Sequence, residues 1–399
     1  GLDGRLRPVR GVLPTVLALR AAGMDRIVVP QACAAEAALV PGAQVLAAGS
    51  LSAVIDWLRD AGPAPPTAEP GEAPAQPPPA DLSEVVGQGT ARRALEVAAA
   101  GGHHMSMVGP PGAGKTMLAS RLPGILPELD DSEALEVTAI HSVAGTLPDG
   151  TALIRRPPLQ VPHHTATVAS LVGGGSGLAR PGAVSLAHRG ILLLDEAAEF
   201  QPAALEALRQ PLESGSVVLH RSGGAVTYPA RFLLVMAANP CPCAAPRSRD
   251  CVCVSMVRRR YQQRLSGPLR DRIDLRLDLD PVARADLSDD SATGECSAVV
   301  AARVAAARQA SRARWRRYGH SLNSEVPGVL LRRPPYRPDA RALRSLDRAV
   351  EQGVLTARGY HRTLRVGWTV ADLNGHEAPD PGDLAEALFL RSGRTEPAA

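Results

Sequence analysis

A single lysine lies within a glycine-rich stretch whose residue types and spacing are those of a phosphate-binding loop. Residues 109–116 read GPPGAGKT and fit the pattern G-x-x-x-x-G-K-[ST]. Glycines let successive N–H groups close around phosphate oxygens, the lysine reaches the β- and γ-phosphates, and the threonine hydroxyl binds Mg²⁺. The stretch therefore predicts a site for ATP and Mg²⁺, formed by Gly109, Pro110, Pro111, Gly112, Ala113, Gly114, Lys115 and Thr116.

Lys115 is the only lysine among the 44 Lys and Arg residues of the chain. A lysine is a compact point charge on a flexible stem, whereas the planar guanidinium of arginine is bulkier and prefers a bidentate geometry. Arginine fills every other basic position, so we expect that charge alone is not sufficient at position 115.

Two acidic residues end an apolar run further along the chain. The segment ILLLDE at 191–196 has a Walker B pattern, which is a buried strand followed by carboxylates. Asp195 is predicted to hold Mg²⁺, and Glu196 is placed to polarise the attacking water. A strand that simply ends in two solvated acids is the alternative for this segment taken alone.

Two amide side chains complete the candidate nucleotide site. Asn239 ends the apolar segment VMAAN (235–239) and fits a sensor that bridges the γ-phosphate and the catalytic water. The alternative is an asparagine that begins a turn before Pro240. Gln88, in VVGQ (85–88), precedes a predicted helix and fits an adenine-pocket loop.

Four cysteines lie within CPCAAPRSRDCVC (241–253) and are metal candidates. Four thiolates on one loop can form a tetrahedral Zn²⁺ site, although two C-x-C pairs are less specific than C-x-x-C pairs, and free thiols or an unused relic are the alternatives. Adjacent residues on a strand point to opposite faces, so His163 and His164 are expected to have packing or substrate-loop roles. The candidate zinc ligands are Cys241, Cys243, Cys251 and Cys253.

Composition excludes few classes of protein. The formal net charge of +4 permits nucleic-acid binding but does not by itself indicate it, because solvated arginine faces are common. No apolar run has the length of a membrane-spanning helix, and no secretory signal is visible. An ATP site together with six cysteines favours the reducing cytoplasm, so we expect a cytoplasmic protein without a membrane partner.

Proline content and element periodicity divide the chain. Residues 61–80 hold eight prolines and predict a semi-rigid linker. Alternating strand and helix patterns from 81 to 283 predict a parallel α/β sheet, with strands near 105–109, 190–196 and 231–239. Helical patterns from 294 to 395 predict a lid, with helices near 297–319, 339–353, 356–375 and 382–391. Residues 1–60 form a separate, shorter α/β unit in this prediction.

Together these parts resemble an AAA+ ATPase, and longer stretches resemble the magnesium-chelatase-like AAA+ proteins of the ComM/YifB family. The resemblance rests on residues 162–200, 207–217, 239–243, 266–275 and 360–375, and residues 1–60 resemble the C-terminal half of that family's Lon-protease-like domain. It implies an AAA+ core with a parallel sheet, a helical lid and a partial Lon-protease-like α/β module. The chain departs from the family pattern at Ala197-Ala198, Ala244 and Gly367-Trp368, none of which touches the phosphate chemistry.

The same resemblance implies roles for two arginines. Arg272 in LRDRIDL would be an arginine finger that reaches the γ-phosphate of a neighbouring subunit, with Arg270 as the alternative. Arg358 at the start of a lid helix would be sensor 2, with Arg362 as the alternative. These positions, like Glu196 and Asn239, would act directly in hydrolysis.

The resemblance also implies a hexameric ring that uses ATP to drive DNA branch migration during uptake of transforming DNA. A chelatase-like motor acting through a protein partner and an ATP-binding scaffold are the alternatives. Two arginine-rich stretches, at 258–264 and 311–319, interleave Tyr261 and Trp315, which could stack on bases. The alternative is that arginines such as Arg312 and Arg316, on one helical face, are solvated or pair with acidic residues of a neighbour. Proteolysis is not expected, because residues 1–60 contain no lysine for a Ser–Lys dyad.

Overall fold

The structure, a computed structural model, describes residues 1–71, 77–147, 152–175, 179–221, 224–245, 250–265, 267–281 and 294–392. Its strands are β1 (Arg26–Pro30), β2 (Gln44–Ala48), β3 (Met105–Val108), β4 (Leu159–Gln160), β5 (Gly173–Gly174), β6 (Arg180–Pro181), β7 (Ile191–Leu194), β8 (Ser216–Arg221), β9 (Gly224–Pro229), β10 (Leu233–Ala238) and β11 (Leu275–Asp278). Residues 282–293, which include the expected end of the core at 283, and the last expected lid residues, 393–395, lie outside these ranges.

Helices and strands are interspersed along the chain up to β11, and only helices follow it in the described residues. They are α1 (Val12–Ala21), α2 (Ala34–Ala37), α3 (Leu51–Leu58), α4 (Gly89–Gly101), α5 (Lys115–Ala119), α6 (Leu122–Ile125), α7 (Asp131–Ala144), α8 (Val168–Val172), α9 (Ala183–Leu186), α10 (Pro202–Ala207), α11 (Arg209–Ser214), α12 (Ser255–Gln263), α13 (Gly267–Arg270), α14 (Ser297–Trp315), α15 (Gly328–Leu331), α16 (Ala340–Glu351), α17 (Ala357–Asn374) and α18 (Pro381–Ser392). In the described part of the chain, no helix is long and apolar enough to span a bilayer.

A five-stranded sheet positions the candidate site. Its strand order is β11-β3-β10-β7-β4, and every neighbouring pair is parallel. Strands β7 and β10 are buried along their whole length, which explains why they read as continuous apolar runs. Parallel strands bring their carboxyl ends to one edge, so the residues that follow β3, β7 and β10 meet there. The predicted α/β fold is confirmed, although we did not expect β4 and β11.

The C-terminal region is helical, as predicted. Helix α17 begins after Thr356, whose hydroxyl accepts a hydrogen bond from the Gly359 N–H, and it ends at Gly375 in the left-handed conformation that glycine adopts most readily. An apolar cluster that includes Trp315, Leu346 and Trp368 holds α14, α16, α17 and α18 together.

The N-terminal residues form a small α/β unit that contacts the core. Strands β1 and β2 pair in parallel, and α1 packs against α7. The Glu36 carboxylate accepts hydrogen bonds from the Leu13 N–H and from the Ser142 hydroxyl of α7. The proline-rich segment begins by pairing with this unit, since Thr67 forms an antiparallel bridge with Leu46. Residues 72–76 of the predicted linker lie outside the described residues.

Candidate nucleotide-binding site

The glycine-rich loop connects β3 to α5, as the pattern predicts. Gly112 and Gly114 have φ angles of +78° and +84°, which side chains rarely adopt. A Cβ atom on Gly109 would lie 2.7 Å from the Leu279 carbonyl oxygen. The loop therefore requires glycine at these three positions for backbone reasons, independently of any ligand.

The Gln88 amide braces this loop. Its Nε2 donates to the Ala113 carbonyl over 3.3 Å and to the Asp280 carbonyl over 2.7 Å. Through these two contacts, Gln88 connects the loop to the segment that follows β11. A direct contact between Gln88 and adenine stays a prediction.

The Lys115 ammonium lies where the loop meets the end of β10. The residue is only 9% exposed, and its Nζ donates to the carbonyl oxygens of Gly109 at 2.7 Å and Pro110 at 2.8 Å. A third bond, of 3.2 Å, reaches Oδ1 of Asn239. Burial lowers the pKa of Lys115, and the nearby carboxylates of Asp195 and Glu196 oppose that shift. The predicted sensor amide and the loop lysine are thus in direct contact.

Thr116 and Asp195 form a set of oxygen ligands suited to Mg²⁺. The Thr116 hydroxyl donates to Oδ2 of Asp195 over 2.9 Å, although 79 positions separate the two residues in the chain. The other carboxylate oxygen, Oδ1, accepts the Glu196 N–H at 2.9 Å. Hydroxyl and carboxylate oxygens are the hard ligands that Mg²⁺ prefers, so these residues fit the ion that the pattern predicts.

Glu196 has an unusual backbone and a partner that we did not expect. Its φ of +50° lies in the left-handed region, which is uncommon for residues with a side chain and often marks a functional position. Its carboxylate lies 3.1 Å from Nδ1 of His164. The expectation of a packing or substrate-loop role for His164 overlooked that this residue follows β4, whose carboxyl end meets the same edge of the sheet.

The two predicted arginines lie near each other, at the amino end of the parallel strands, whereas the glycine-rich loop lies at the carboxyl end. Arg272 precedes β11, which is parallel to β3 with Leu275 opposite Met105, whereas the phosphate-binding loop follows β3. A four-residue strand spans roughly 13 Å, so Arg272 is remote from the loop of its own chain. Arg358 is exposed and lies 3.9 Å from Asp271, near Arg272.

The alternatives for these roles differ in their exposure. Arg272 is 6% exposed, donates to the Pro268 carbonyl over 2.6 Å and pairs with Glu213. Arg270 is exposed. Arg362 is largely buried in an ion pair with Asp274 at 2.6 Å, which leaves Arg358 as the more accessible candidate for sensor 2.

The four clustered cysteines converge in space. Their sulfur atoms all lie within 4.8 Å of one another. Hydrogen bonding from Cys241 lowers the pKa of Cys243 to about 6, which favours its thiolate, whereas burial raises the pKa of Cys241 to about 11. Residues 246–249 of this loop are outside the described residues.

The expectation that two aromatic rings stack on bases is wrong. Trp315 is completely buried in the lid, where its Nε1 donates to Asn323 over 2.7 Å, and Tyr261 is 4% exposed. An aromatic ring in the middle of a basic stretch lies on the buried face of a helix in both cases. The arginines at 258–260 remain exposed.

Comparisons with known proteins agree with this geometry. Residues 81–287 match the family described as "Magnesium chelatase, subunit ChlI", and residues 294–391 match its "C-terminal" family. An uncharacterized protein of Mycobacterium tuberculosis is 53% identical over 391 residues, which are 98% of this chain and 77% of that protein. Competence protein ComM of Haemophilus influenzae is 38% identical over 395 residues, 98% of this chain and 76% of ComM. YifB of Escherichia coli is 38% identical over 396 residues, with the same coverage. The chain therefore belongs to the ComM/YifB family of magnesium-chelatase-like AAA+ proteins.

Proposed function

We propose that this protein is the subunit of a homo-hexameric, cytoplasmic ring that hydrolyses ATP with Mg²⁺ and uses the energy to migrate branched DNA. The observation that carries the ATPase proposal is the contact of Lys115 with both the phosphate-binding loop and Asn239, beside the Thr116–Asp195 pair. The name of the H. influenzae relative, a competence protein, supports a role in DNA uptake and recombination.

Each residue has a distinct task in the proposed reaction. Thr116 and Asp195 would hold Mg²⁺, which when bound would supply positive charge beside the phosphates. The Lys115 ammonium leaves the loop carbonyls to bind the phosphates. Asn239 orients the attacking water, and Glu196 polarises it once its carboxylate is free of His164.

The position of the arginines supports the proposal of a homo-oligomer. Arg272 and Arg358 lie at the amino end of the parallel strands, away from the phosphate-binding loop of their own chain. A neighbouring subunit would supply the phosphates that these side chains approach. The ring proposal thus gives both arginines a task in hydrolysis, in addition to their contacts within one chain.

DNA contact is expected from the exposed arginines of α12. Phosphate contacts release counterions, so affinity for forked and four-way DNA should fall linearly with log[salt]. Arg259→Gln should reduce that slope by about one, with little dependence on DNA sequence. The measurement is a salt titration of full-length protein with ATP, because the matched relatives extend beyond the aligned region. ATP hydrolysis is measured in parallel, with and without branched DNA.

The control for this experiment is Arg344→Gln, which removes an exposed lid arginine far along the chain from α12 and should leave the slope unchanged. Equal effects of the two variants would argue against α12 as the contact. A ring that hydrolyses ATP but ignores branched DNA at low salt would favour the chelatase-like alternative, in which the motor acts on a protein partner. Absence of hydrolysis under all conditions would favour the ATP-binding scaffold.

We also propose that the four cysteines hold one structural Zn²⁺ per chain. The carrying observation is the mutual approach of the sulfur atoms within 4.8 Å, which a tetrahedral ion can bridge. Metal analysis of protein purified without chelator should give about one Zn per chain. The double variant Cys243→Ser/Cys251→Ser should lose it, whereas Cys296→Ser, which removes an exposed thiol outside the cluster, should retain it. Wild-type protein that contains no zinc would contradict the proposal and would indicate that the four cysteines are free thiols.

A further inference from the structure

Two lid arginines hold the backbone of the segment that carries Arg272. Arg362, on α17, donates from Nη1 to the Arg272 carbonyl over 2.9 Å and to Oδ1 of Asp274 over 2.6 Å. Arg391, on α18, donates to the Ile273 carbonyl over 2.9 Å. Consecutive peptide groups of the segment are therefore bound by different lid helices. Among the described residues, no hydrogen bond or ion pair joins this clamp to the phosphate-binding loop.

The clamp is buried, which makes it stiff. Asp274 is 2% exposed and Arg391 is 6% exposed. The other Asp274 oxygen lies 3.3 Å from Nδ1 of His103, whose Nε2 lies 2.8 Å from the Thr369 hydroxyl of α17. Asp274 is thus connected to α17 both directly and through His103. Separating a buried ion pair leaves uncompensated charges, so the lid and the segment should move as one.

The charge state of Asp274 agrees with this arrangement. Burial alone would raise the pKa of Asp274, but the Arg362 guanidinium and the hydrogen bond with His103 outweigh burial and hold it far below its usual range. The carboxylate is therefore charged at neutral pH, and the pair with Arg362 persists.

The Arg272 side chain is held less completely than its backbone. Its guanidinium contacts the Pro268 carbonyl and Glu213, and its Nε has no hydrogen-bond partner in the described part of the chain. The Glu213 side chain is 58% exposed, so this partner lies at the surface. If a phosphate replaced Glu213 as the partner of the guanidinium, the Arg272 side chain would be free to move. The backbone at Arg272 would stay fixed by its hydrogen bonds with the lid.

We propose that Arg362 is a positioning residue for the arginine finger: through the Arg272 carbonyl and Asp274, the lid of one subunit sets the finger that this subunit offers to its neighbour. This inference rests on the proposed ring ATPase. It gives Arg362 a task different from that of a phosphate sensor, because its guanidinium faces Asp274 and the finger backbone.

Subunit mixing tests the proposal. Arg362→Ala in the full-length protein should bind ATP normally and keep its KM, while kcat falls on the order of 10²-fold, the cost of a finger misplaced by about 1 Å. Mixing with Lys115→Ala subunits should restore activity, because some interfaces then pair an intact pocket with an intact finger. Mixing with Arg272→Ala should restore nothing, because both variants lack a working finger. Arg362→Lys, which keeps the charge beside Asp274, should recover part of kcat.

The controls separate this inference from the proposed function and from folding. If Arg272→Ala is rescued by Lys115→Ala but Arg362→Ala is not, Arg362 acts on its own pocket and the inference is overturned. If neither is rescued, the trans finger itself fails. Arg365→Ala removes a lid arginine that bonds Val326 instead, and the same rescue pattern in that variant would assign the effect to lid stability. If Arg362→Ala does not fold, Arg362→Met/Asp274→Asn, which leaves no unpaired charge, should show the same rescue, and lack of rescue overturns the inference.

Discussion

Lys115→Arg is expected to lose most ATP hydrolysis, on the order of 10²-fold or more, although it keeps the positive charge. The Nζ atom fits between two loop carbonyls at 2.7 and 2.8 Å and Asn239 at 3.2 Å. A planar guanidinium is bulkier than an ammonium and does not bring one point charge between the β- and γ-phosphates. The measurement is steady-state hydrolysis by the full-length protein, with ATP affinity determined separately.

Glu196→Gln is the matched comparison for Lys115→Arg. That change leaves the loop and the lysine intact, so the variant should bind ATP but hydrolyse it poorly. Lys115→Ala gives the baseline for a pocket without the charge. Turnover near the wild-type rate in Lys115→Arg would contradict the argument that the geometry of lysine, and not its charge, is required.

Arg272→Ala is expected to fold and bind ATP but to hydrolyse it 10³–10⁵ times more slowly, the order of magnitude that arginine fingers contribute. The residue lies at the amino end of the parallel strands, away from the phosphate-binding loop of its own chain. The loss of hydrolysis should therefore occur in the site of the neighbouring subunit. Mixing Arg272→Ala with Lys115→Ala subunits should restore some activity. Hydrolysis is measured over a range of mixing ratios, with co-assembly checked by size and by differential tagging.

Glu213→Gln is the control, because it removes the negative charge of the surface partner of Arg272 and leaves the arginine in place. This variant should retain most hydrolysis, since the finger is then freed rather than deleted. Failure of rescue at every ratio, despite proven co-assembly, would show that Arg272 works within its own chain. Full activity of Arg272→Ala would transfer the role to the exposed Arg270.

Local patterns were sufficient for the nucleotide loop and for the main elements around it. The loop pattern spans eight residues, and its glycines are required by backbone angles that the sequence already indicates. Strands β7 and β10 are apolar throughout because both faces of a parallel sheet are buried, so the polar residues that end them were visible as Asp195, Glu196 and Asn239. The lid helices were visible from their periodicity and from the glycines that follow them. The short β4 and the alternating β11 gave weaker signals.

Tertiary structure decided which atoms meet, and that information is not local. His164 reaches Glu196 because β4 and β7 are neighbours in the sheet, and a sequence read segment by segment does not order the strands. Arg362 pairs with Asp274, 88 positions away in the chain. Trp315 belongs to a basic stretch of sequence, but its side chain is buried in the lid and donates to Asn323. The glycine-rich pattern is readable in the sequence alone, because backbone geometry and side-chain type are fixed within a few residues. Which arginines are buried and which are exposed depends on packing, because burial and long-range pairing depend on how the helices and strands are arranged together.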